Sequence, residues 1–257
     1  LASKGNSDVY PNPKVGCIIV KNKKIISRGW TSKFGSNHAE KNALNPIDKD
    51  IEDLTMYVTM EPCHHYGKTS PCTDLINPDQ FNRVVIAEKD PSATAGGGAQ
   101  YLKKLNIKVE IGLCKDAARK LNEKFYVFHE KKRPYVILKY ASSLDGYIAL
   151  KNGQSKWITN DSSRSLNHET RSKCDAILVG RKTIQLDDPS LTSHGKGKDP
   201  IIIIIDNEKK IDKKSQIFIK NQKVITFTNK ELNNSHKKNI KVILNELYKM
   251  KIQYIIL

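Results

Sequence analysis

The sequence predicts an α/β fold in two domains. In the first half of its 257 residues, apolar segments with strand character alternate with segments of helical periodicity, which is typical of a three-layer α/β domain. A charged stretch at 129–134 ends in proline, so we place a boundary there and predict domains at 1–131 and 132–257. A second β-rich series follows this boundary. The chain is long enough for each domain to bury its own core.

In the first domain, the strand "VGCIIV" is followed by a turn and the strand "KIISRGW". The helix "HAEKNAL" then ends at Pro46, and the strand "LTMYVTM" runs into a polar segment rich in Cys and His. A helical turn "CTDLI", the strand "RVVIAE", the helix "AQYLKKL" and the strand "IKVEIGL" come next. The amphipathic segment "KDAARKLNEKFYVFHE" predicts one long helix that closes the domain.

The second domain contains six apolar segments that we predict as strands: "YVILKYA", "AILVG", "PIIIIID", "QIFIK", "KVITFT" and "IQYIIL". Helical patterns lie near 161–172 and 244–251. The longest apolar run, at 201–205, is far too short to span a bilayer and fits a buried strand.

The formal net charge of +17 raises the hypothesis of a nucleic-acid partner. However, Lys is scattered along the chain, and its clusters lie in predicted turns without interleaved aromatic residues. We therefore favour a solvated basic surface that attracts a phosphorylated small molecule, with neither nucleic acid nor membrane as a partner. The five cysteines are odd in number and include only one close pair, and no leader is visible, which predicts reduced thiols and a cytoplasmic location.

A set of four residues predicts a zinc site. His38 and Glu40 are separated by one residue, and Pro62-Cys63 is followed after eight residues by Cys72. Catalytic zinc keeps three protein ligands and one open position. Zinc deaminases use a His-x-Glu motif followed by two Cys, in which the His and both Cys bind zinc and the Glu does not. We predict that His38, Cys63 and Cys72 bind Zn²⁺ and that Glu40 transfers protons. A redox pair of Cys63 and Cys72 is the alternative, which the nearby His-x-Glu disfavours.

The segments "PNPKVGCIIV", "HAEKNAL", "TMEPCHHYGKTSPC" and "RVVIAEKDPSATAGGG" resemble, in this order, the deaminase domain of the bifunctional riboflavin-biosynthesis deaminase–reductase family. The resemblance implies a cytidine-deaminase-like α/β/α domain that acts on a phosphoribosylaminopyrimidine. It also implies that the substrate is bound by Asn12, His65, Lys68 and Thr69. One departure is Thr31, which stands where the family often has His.

The segments "YVILKYASSLDGYIA", "GQSKWITND" and "CDAILVGRKTIQLDDPSLTSH" resemble the reductase half of the same family, which has a dihydrofolate-reductase-like α/β fold and uses NADPH. The resemblance implies a cofactor site formed by Ala141, Trp157, Thr183, Asp187 and Asn207. It also implies a substrate site formed by Ser155, Arg171, Leu191 and His194, with Arg171 binding a phosphate group. His194 occupies a position where the family commonly has Arg.

The family's reductase half continues past the strand "IQYIIL" into a glycine-rich loop, so we expect a C-terminally incomplete reductase domain. The expected function is zinc-dependent deamination followed by NADPH-dependent reduction of the ribosyl group, in a homo-oligomeric enzyme. Three alternatives remain at this point: a deaminase with a non-functional reductase domain, a nucleic-acid deaminase, and a non-catalytic zinc-stabilised binding protein.

Overall fold

The structure is a computed structural model that describes residues 1–5, 9–67, 70–155, 158–219, 222–232 and 235–257. The chain divides into two compact units, Leu1–Lys131 and Lys132–Leu257. In the described part of the chain, no helix combines the length and apolar character needed to cross a membrane.

Unit 1 is built on a five-stranded mixed sheet with the order β2-β1-β3-β4-β5. Strand β1 pairs antiparallel with β2 and β3, whereas β4 pairs parallel with β3 and β5. The strands are β1 (Gly16–Lys21), β2 (Lys24–Trp30), β3 (Leu54–Val58), β4 (Phe81–Ile86) and β5 (Lys108–Ile111).

The helices of unit 1 are α1 (Ala39–Leu44), α2 (Gly98–Lys104), α3 (Lys115–Leu121) and α4 (Glu123–Lys131), with short 3₁₀ helices at Ala2–Lys4 and Cys72–Leu75. Helices α1 and α2 contribute Ala43 and Leu102 to one core cluster with Met56 and Val84 of the sheet. Val85, which points to the opposite face of β4, is also buried, so both faces of the sheet are covered.

Glycine allows α1 to lie very close to β2. A Cβ atom at Gly29 would lie 2.2 Å from the carbonyl oxygen of Ala39. Because α1 carries the first residues of the predicted zinc site, this close packing fixes their position relative to the sheet.

The single long helix predicted at the end of unit 1 is wrong, since α3 and α4 are separate helices that meet at Asn122. The Asn122 side chain accepts a hydrogen bond from the Lys14 backbone N–H at 2.8 Å and donates to the Lys14 carbonyl at 2.9 Å. This contact joins the helix break to the segment before β1. The partner lies 108 residues away, so helical periodicity could not reveal it.

Unit 2 contains a fully parallel five-stranded sheet with the order β6-β10-β7-β8-β9. Its strands are β6 (Tyr135–Ile137), β7 (Ala176–Gly180), β8 (Ile201–Ile205), β9 (Val224–Phe227) and β10 (Tyr254–Ile256). Its helices are α5 (Asp161–Ser172), α6 (Arg181–Asp187), α7 (Gln216–Ile219) and α8 (His236–Lys249).

Helices cover both faces of this sheet. Ile184 of α6 and Ile217 of α7 pack with Ile202 on one face, whereas Leu247 of α8 packs with Ile203 on the other. The resulting three layers explain why β8 is a continuous run of isoleucines, since a parallel strand between two helical layers is buried on both sides.

Three expectations for unit 2 differ from the structure. The segment "QIFIK" was predicted as a strand, but Gln216–Ile219 forms α7, in which Ile217 is fully buried and Ile219 is exposed. The connection between the parallel neighbours β8 and β9 must leave the sheet, and α7 lies in this crossover. Helix α6 was not predicted, and α8 begins at His236, earlier than the expected 244.

Candidate functional site

Three potential zinc ligands converge in unit 1. His38 precedes the first turn of α1, Cys63 follows β3, and Cys72 begins the 3₁₀ helix. The His38 Nδ1 atom lies 3.5 Å from the Cys63 Sγ atom and 3.3 Å from the Cys72 Sγ atom. One ligand atom from each residue lies within 4.8 Å of the other two. One imidazole nitrogen and two thiol sulfurs at this spacing fit the tetrahedral coordination of zinc, with one position left for water.

The two thiols differ in acidity. Hydrogen bonding from the Cys72 side chain lowers the pKa of Cys63 to about 4. The same interaction, together with burial, raises the pKa of Cys72 well above its ordinary value. Zinc would bind both side chains as thiolates, so its binding would release any proton that either thiol holds.

Glu40 lies in the first turn of α1, two residues after His38, and only 4% of its surface is exposed. Burial raises the pKa of the Glu40 carboxyl to about 7. A carboxyl group that is buried beside the ligand cluster, without being one of the three ligands, has the position that a proton carrier requires.

Glu61 is a buried positioning residue that the sequence analysis missed. Its Oε1 atom accepts a hydrogen bond from the Ala99 N–H at 2.8 Å, and its Oε2 atom accepts from the Asp90 N–H at 3.1 Å. Glu61 thus holds the loop after β4 and the start of α2 against the turn that carries Cys63. The signal in the sequence was an acidic residue directly before Pro-Cys, but its backbone partners lie 29 and 38 residues away.

The residues implied in substrate binding are only partly described. Asn12 lies in a partly buried turn before β1, and its N–H donates to the Val9 carbonyl at 3.0 Å. His65 follows Cys63 by two residues, and its Nδ1 atom is buried without a hydrogen-bond partner among the described residues. Lys68 and Thr69 lie outside the described residues.

Thr31 and Asp90 have interactions in unit 1 that the sequence did not predict. Thr31, at the position where the resemblance often implies a His, is buried and accepts a hydrogen bond from the Val15 N–H at 2.9 Å, so it has a structural contact of its own. The Asp90 carboxyl interacts electrostatically with Cys63 and His65, and burial raises its pKa to about 6. Asp90 is not among the site residues predicted from the sequence.

In unit 2, the implied cofactor residues lie after the carboxyl ends of the strands. Thr183 and Asp187 belong to α6, which directly follows β7, and Asn207 follows β8 by two residues. The Asn207 carbonyl accepts a hydrogen bond from the Asn229 N–H at 3.1 Å, which links the ends of β8 and β9. Ala141 follows β6 by four residues, whereas Trp157 lies outside the described residues.

The strand order places these residues at the edge of the sheet where ligands of α/β proteins usually bind. The chain proceeds from β7 to β8 and β9, and then returns through α8 to β10 on the other side of β7. Ligands of open α/β sheets bind outside the carboxyl ends of strands where the order reverses in this way. The arrangement is therefore suited to a cofactor, and the contacts of the individual residues with NADPH remain predictions.

The implied substrate residues of unit 2 are partly brought together. The Arg171 Nη1 atom, at the end of α5, donates to the Thr192 carbonyl at 2.7 Å, beside the buried Leu191. His194 belongs to the same loop, and its ring lies against that of His168, a residue that the sequence analysis did not identify. Ser155 is half-buried and lies in an irregular segment before α5.

Two family models match the chain, one in each unit. Residues 1–88 match the model of the cytidine and deoxycytidylate deaminase zinc-binding region, and residues 134–257 match that of the RibD C-terminal domain. The predicted fold class, a cytidine-deaminase-like domain followed by a reductase domain of the dihydrofolate-reductase-like type, is confirmed. The class of protein is therefore a zinc-binding deaminase joined to a reductase domain.

The chain belongs to the RibD family of riboflavin biosynthesis proteins, as the resemblance predicted. It is 38% identical to riboflavin biosynthesis protein RibD of Aquifex aeolicus, over 98% of this chain and 72% of the relative. It is 42% identical to the RibD protein of Actinobacillus pleuropneumoniae, over 81% of this chain and 56% of the relative. The chain thus spans between about half and three quarters of the length of these relatives.

Solved structures show the same relationship. The chain is similar to the diaminohydroxyphosphoribosylaminopyrimidine deaminase/5-amino-6-(5-phosphoribosylamino)uracil reductase of Thermotoga maritima, with 39% identity and a TM-score of 0.81. That match covers 100% of this chain and 77% of the other. Acinetobacter baumannii RibD gives 34% identity and the same TM-score, over 100% and 76% of the two chains. A match through both units disfavours the nucleic-acid deaminase and deaminase-only alternatives.

Proposed function

We propose that this protein is a bifunctional enzyme of riboflavin biosynthesis. Unit 1 deaminates a diaminohydroxyphosphoribosylaminopyrimidine, and unit 2 reduces the ribosyl group of the product to a ribityl chain with NADPH. The observation that carries the first activity is the convergence of His38, Cys63 and Cys72 beside the buried Glu40. The second activity is supported by the match of residues 134–257 to the RibD C-terminal domain.

His38, Cys63 and Cys72 would hold the zinc ion. Zinc supplies Lewis acidity that makes water nucleophilic near neutral pH. Glu40 accepts the proton that the water loses as its oxygen adds to the ring carbon bearing the amino group. Glu40 then gives this proton to the amino nitrogen, which leaves as ammonia, so water is consumed and the ring gains an oxygen. Asn12, His65, Lys68 and Thr69 would orient the pyrimidine and its phosphoribosyl group.

In unit 2, Ala141, Trp157, Thr183, Asp187 and Asn207 would bind NADPH, which supplies the hydride. Ser155, Arg171, Leu191 and His194 would bind the phosphorylated substrate. Arg171 is suited to this role because a guanidinium group binds phosphate oxygens through paired hydrogen bonds.

Substitution of Glu40 tests the first activity. Glu40→Gln keeps the shape of the side chain and all three ligands, so we expect one zinc ion per chain and a loss of ammonia release of at least about a hundredfold. Elemental analysis and an ammonia assay with the phosphorylated pyrimidine measure the two quantities. Ammonia release at the wild-type rate would remove Glu40 from its role. Transfer RNA in place of the pyrimidine tests for a nucleic-acid substrate, and we expect no ammonia from it.

We also propose that the enzyme works in the cytoplasm as a homo-oligomer. The five cysteines are free thiols, and reduced thiols such as those of Cys63 and Cys72 are typical of cytosolic proteins. Large apolar side chains between 138 and 150 are exposed, with Leu144 fully exposed and Tyr140 70% exposed. Patches of this kind are suited to contact with another segment of the protein or with a second copy. Analytical ultracentrifugation would measure the mass, and a monomer at micromolar concentration would contradict the proposed oligomer.

A further inference from the structure

Two histidines of unit 2 form a ring pair beside the implied substrate site. His168 lies in α5, and His194 lies in the loop that follows α6, with a positive φ of 51°. Their ring centroids are 4.1 Å apart, and the ring planes are tilted by 35°. His194 is exposed and His168 is half-buried, so the pair has both an anchored member and an accessible member.

The charges that act on this pair are predominantly positive. Burial, followed by the positive charges of His194, Arg171, Lys196 and Arg164, lowers the pKa of His168 below its ordinary value. The carboxylates of Asp161, Glu169 and Asp199 have hydrogen-bond or ion-pair partners outside the imidazole pair, and Asp199 also acts electrostatically on Arg171. Asp161 pairs with Arg164, Glu169 pairs with Lys173 at 2.6 Å, and Asp199 accepts hydrogen bonds from the Ser193 N–H and hydroxyl groups. Within the described residues, no carboxylate is hydrogen-bonded to either imidazole.

Two polar atoms of this cluster lack partners. The His168 Nδ1 and Arg171 Nε atoms are buried and have no hydrogen-bond partner in the part of the chain that the structure describes. Buried polar groups are normally paired, and an unpaired one requires an explanation. A cluster of cations with unpaired nitrogen atoms and no bonded carboxylate is suited to an anion.

We propose that His168 acts with Arg171 and His194 as a phosphate-binding residue, and that the imidazole pair couples phosphate binding to proton uptake. The identity of the anion rests on the proposed function, because the substrate of the reductase step carries a phosphate ester. At position 194, where the family resemblance implies an arginine, this chain has a histidine, so His168 faces an imidazole and not a guanidinium. A guanidinium stays charged at every physiological pH, whereas an imidazole does not.

The direction of the coupling follows from the charges. Without an anion, burial and the positive surroundings favour the neutral form of His168. A bound anion favours the imidazolium form, so its binding raises the pKa of the pair and draws in a proton. Affinity is therefore highest at low pH and falls as the pH rises through the raised pKa. The ionisation of a phosphate ester acts in the opposite sense, since its dianion becomes more abundant above about pH 6.

The test uses the full chain with two probes, ribose 5-phosphate and sulfate, at constant ionic strength. Sulfate keeps both charges across this pH range, so its binding reports only the protein's protons. Imidazole NMR signals follow binding at the pair itself, and the seven histidines of the chain can be assigned from single substitutions. We expect sulfate to bind about tenfold more weakly at pH 8 than at pH 6.5, because one linked proton changes affinity by up to tenfold per pH unit.

Two variants separate the contributions of the pair. His168→Gln should weaken binding at pH 6.5 toward the level seen at pH 8 and reduce the pH dependence, because only one imidazole of the pair remains. His194→Arg should retain tight binding at pH 8. His129→Gln in α4 of unit 1 is the matched control and should leave the dependence unchanged. Circular dichroism verifies folding, and both substituted positions accept a polar side chain because neither is fully buried.

Sulfate binding that does not vary between pH 6.5 and 8, or that is unaffected by His168→Gln, would overturn the proposal. NADPH oxidation with the deaminated substrate is measured separately. Turnover without the predicted pH dependence leaves the proposed function standing and rejects the role of the pair. The predicted pH dependence without turnover supports the anion site and counts against the reductase activity.

Discussion

Gly98 controls how closely helix α2 approaches the turn that carries Cys63. A Cβ atom at Gly98 would lie 2.0 Å from the carbonyl oxygen of Pro62 and 3.2 Å from the Cγ2 atom of Thr73. Pro62 is bonded to Cys63, and Thr73 is bonded to Cys72, so an alanine at 98 would press on the segments that hold both thiol ligands.

The magnitude of the effect follows from these distances. Real Cβ atoms essentially never approach within 3.0 Å of another atom, so Gly98→Ala requires a shift of about 1 Å in the Pro62 backbone or in α2. Zinc ligands tolerate displacements of only about 0.2 Å. We expect zinc content well below one per chain, ammonia release lower by about a hundredfold, and unit 1 less stable by about 1–3 kcal/mol.

Elemental analysis after dialysis, and ammonia release with the phosphorylated pyrimidine, measure the first two effects. Gly180→Ala is the matched control, because a Cβ atom there meets nothing within 4 Å and the φ of Gly180 is −82°. It should leave zinc content and ammonia release unchanged. If Gly98→Ala kept one zinc per chain and an activity within twofold of the wild type, the close packing of α2 would not control the site.

Three further predictions have defined outcomes. Glu61→Ala leaves two backbone N–H groups without their acceptor and should lower the stability of unit 1 by about 2–4 kcal/mol. Zinc release to a chromogenic chelator, followed as urea is increased, measures this loss. Release at the same urea concentration as in the wild type would contradict the prediction. Cys17→Ala removes a fully buried thiol outside the ligand cluster, so this variant should keep one zinc ion per chain. Cys63→Ala should lose the zinc ion. Equal zinc content in the two variants would refute the ligand assignment. Asn160→Ala removes the side-chain acceptor of the Ser163 N–H and should destabilise the start of α5 by about 1 kcal/mol. Amide hydrogen exchange measures this effect, and unchanged exchange would show that the cap contributes little.

Local sequence predicted most of the strands and the zinc cluster. The run Ile201–Ile205 predicted a buried strand, because five consecutive isoleucines suit a strand that is covered on both faces. The set of His38, Glu40, Cys63 and Cys72 could be identified because zinc chemistry restricts both the residue types and their order. In each case the physical requirement falls on residues that are close in sequence, or on a combination rare enough to be distinctive.

Tertiary structure alone decided the remaining features. The helix break at Asn122 depends on hydrogen bonds to Lys14, and the role of Glu61 depends on N–H groups of two later segments. The contact between His168 and His194 joins a helix to a loop 26 residues further along, and neither neighbourhood in the sequence marks it. These contacts form only when the fold brings distant segments together. Periodicity and composition describe neighbours along the chain, so they cannot predict such contacts.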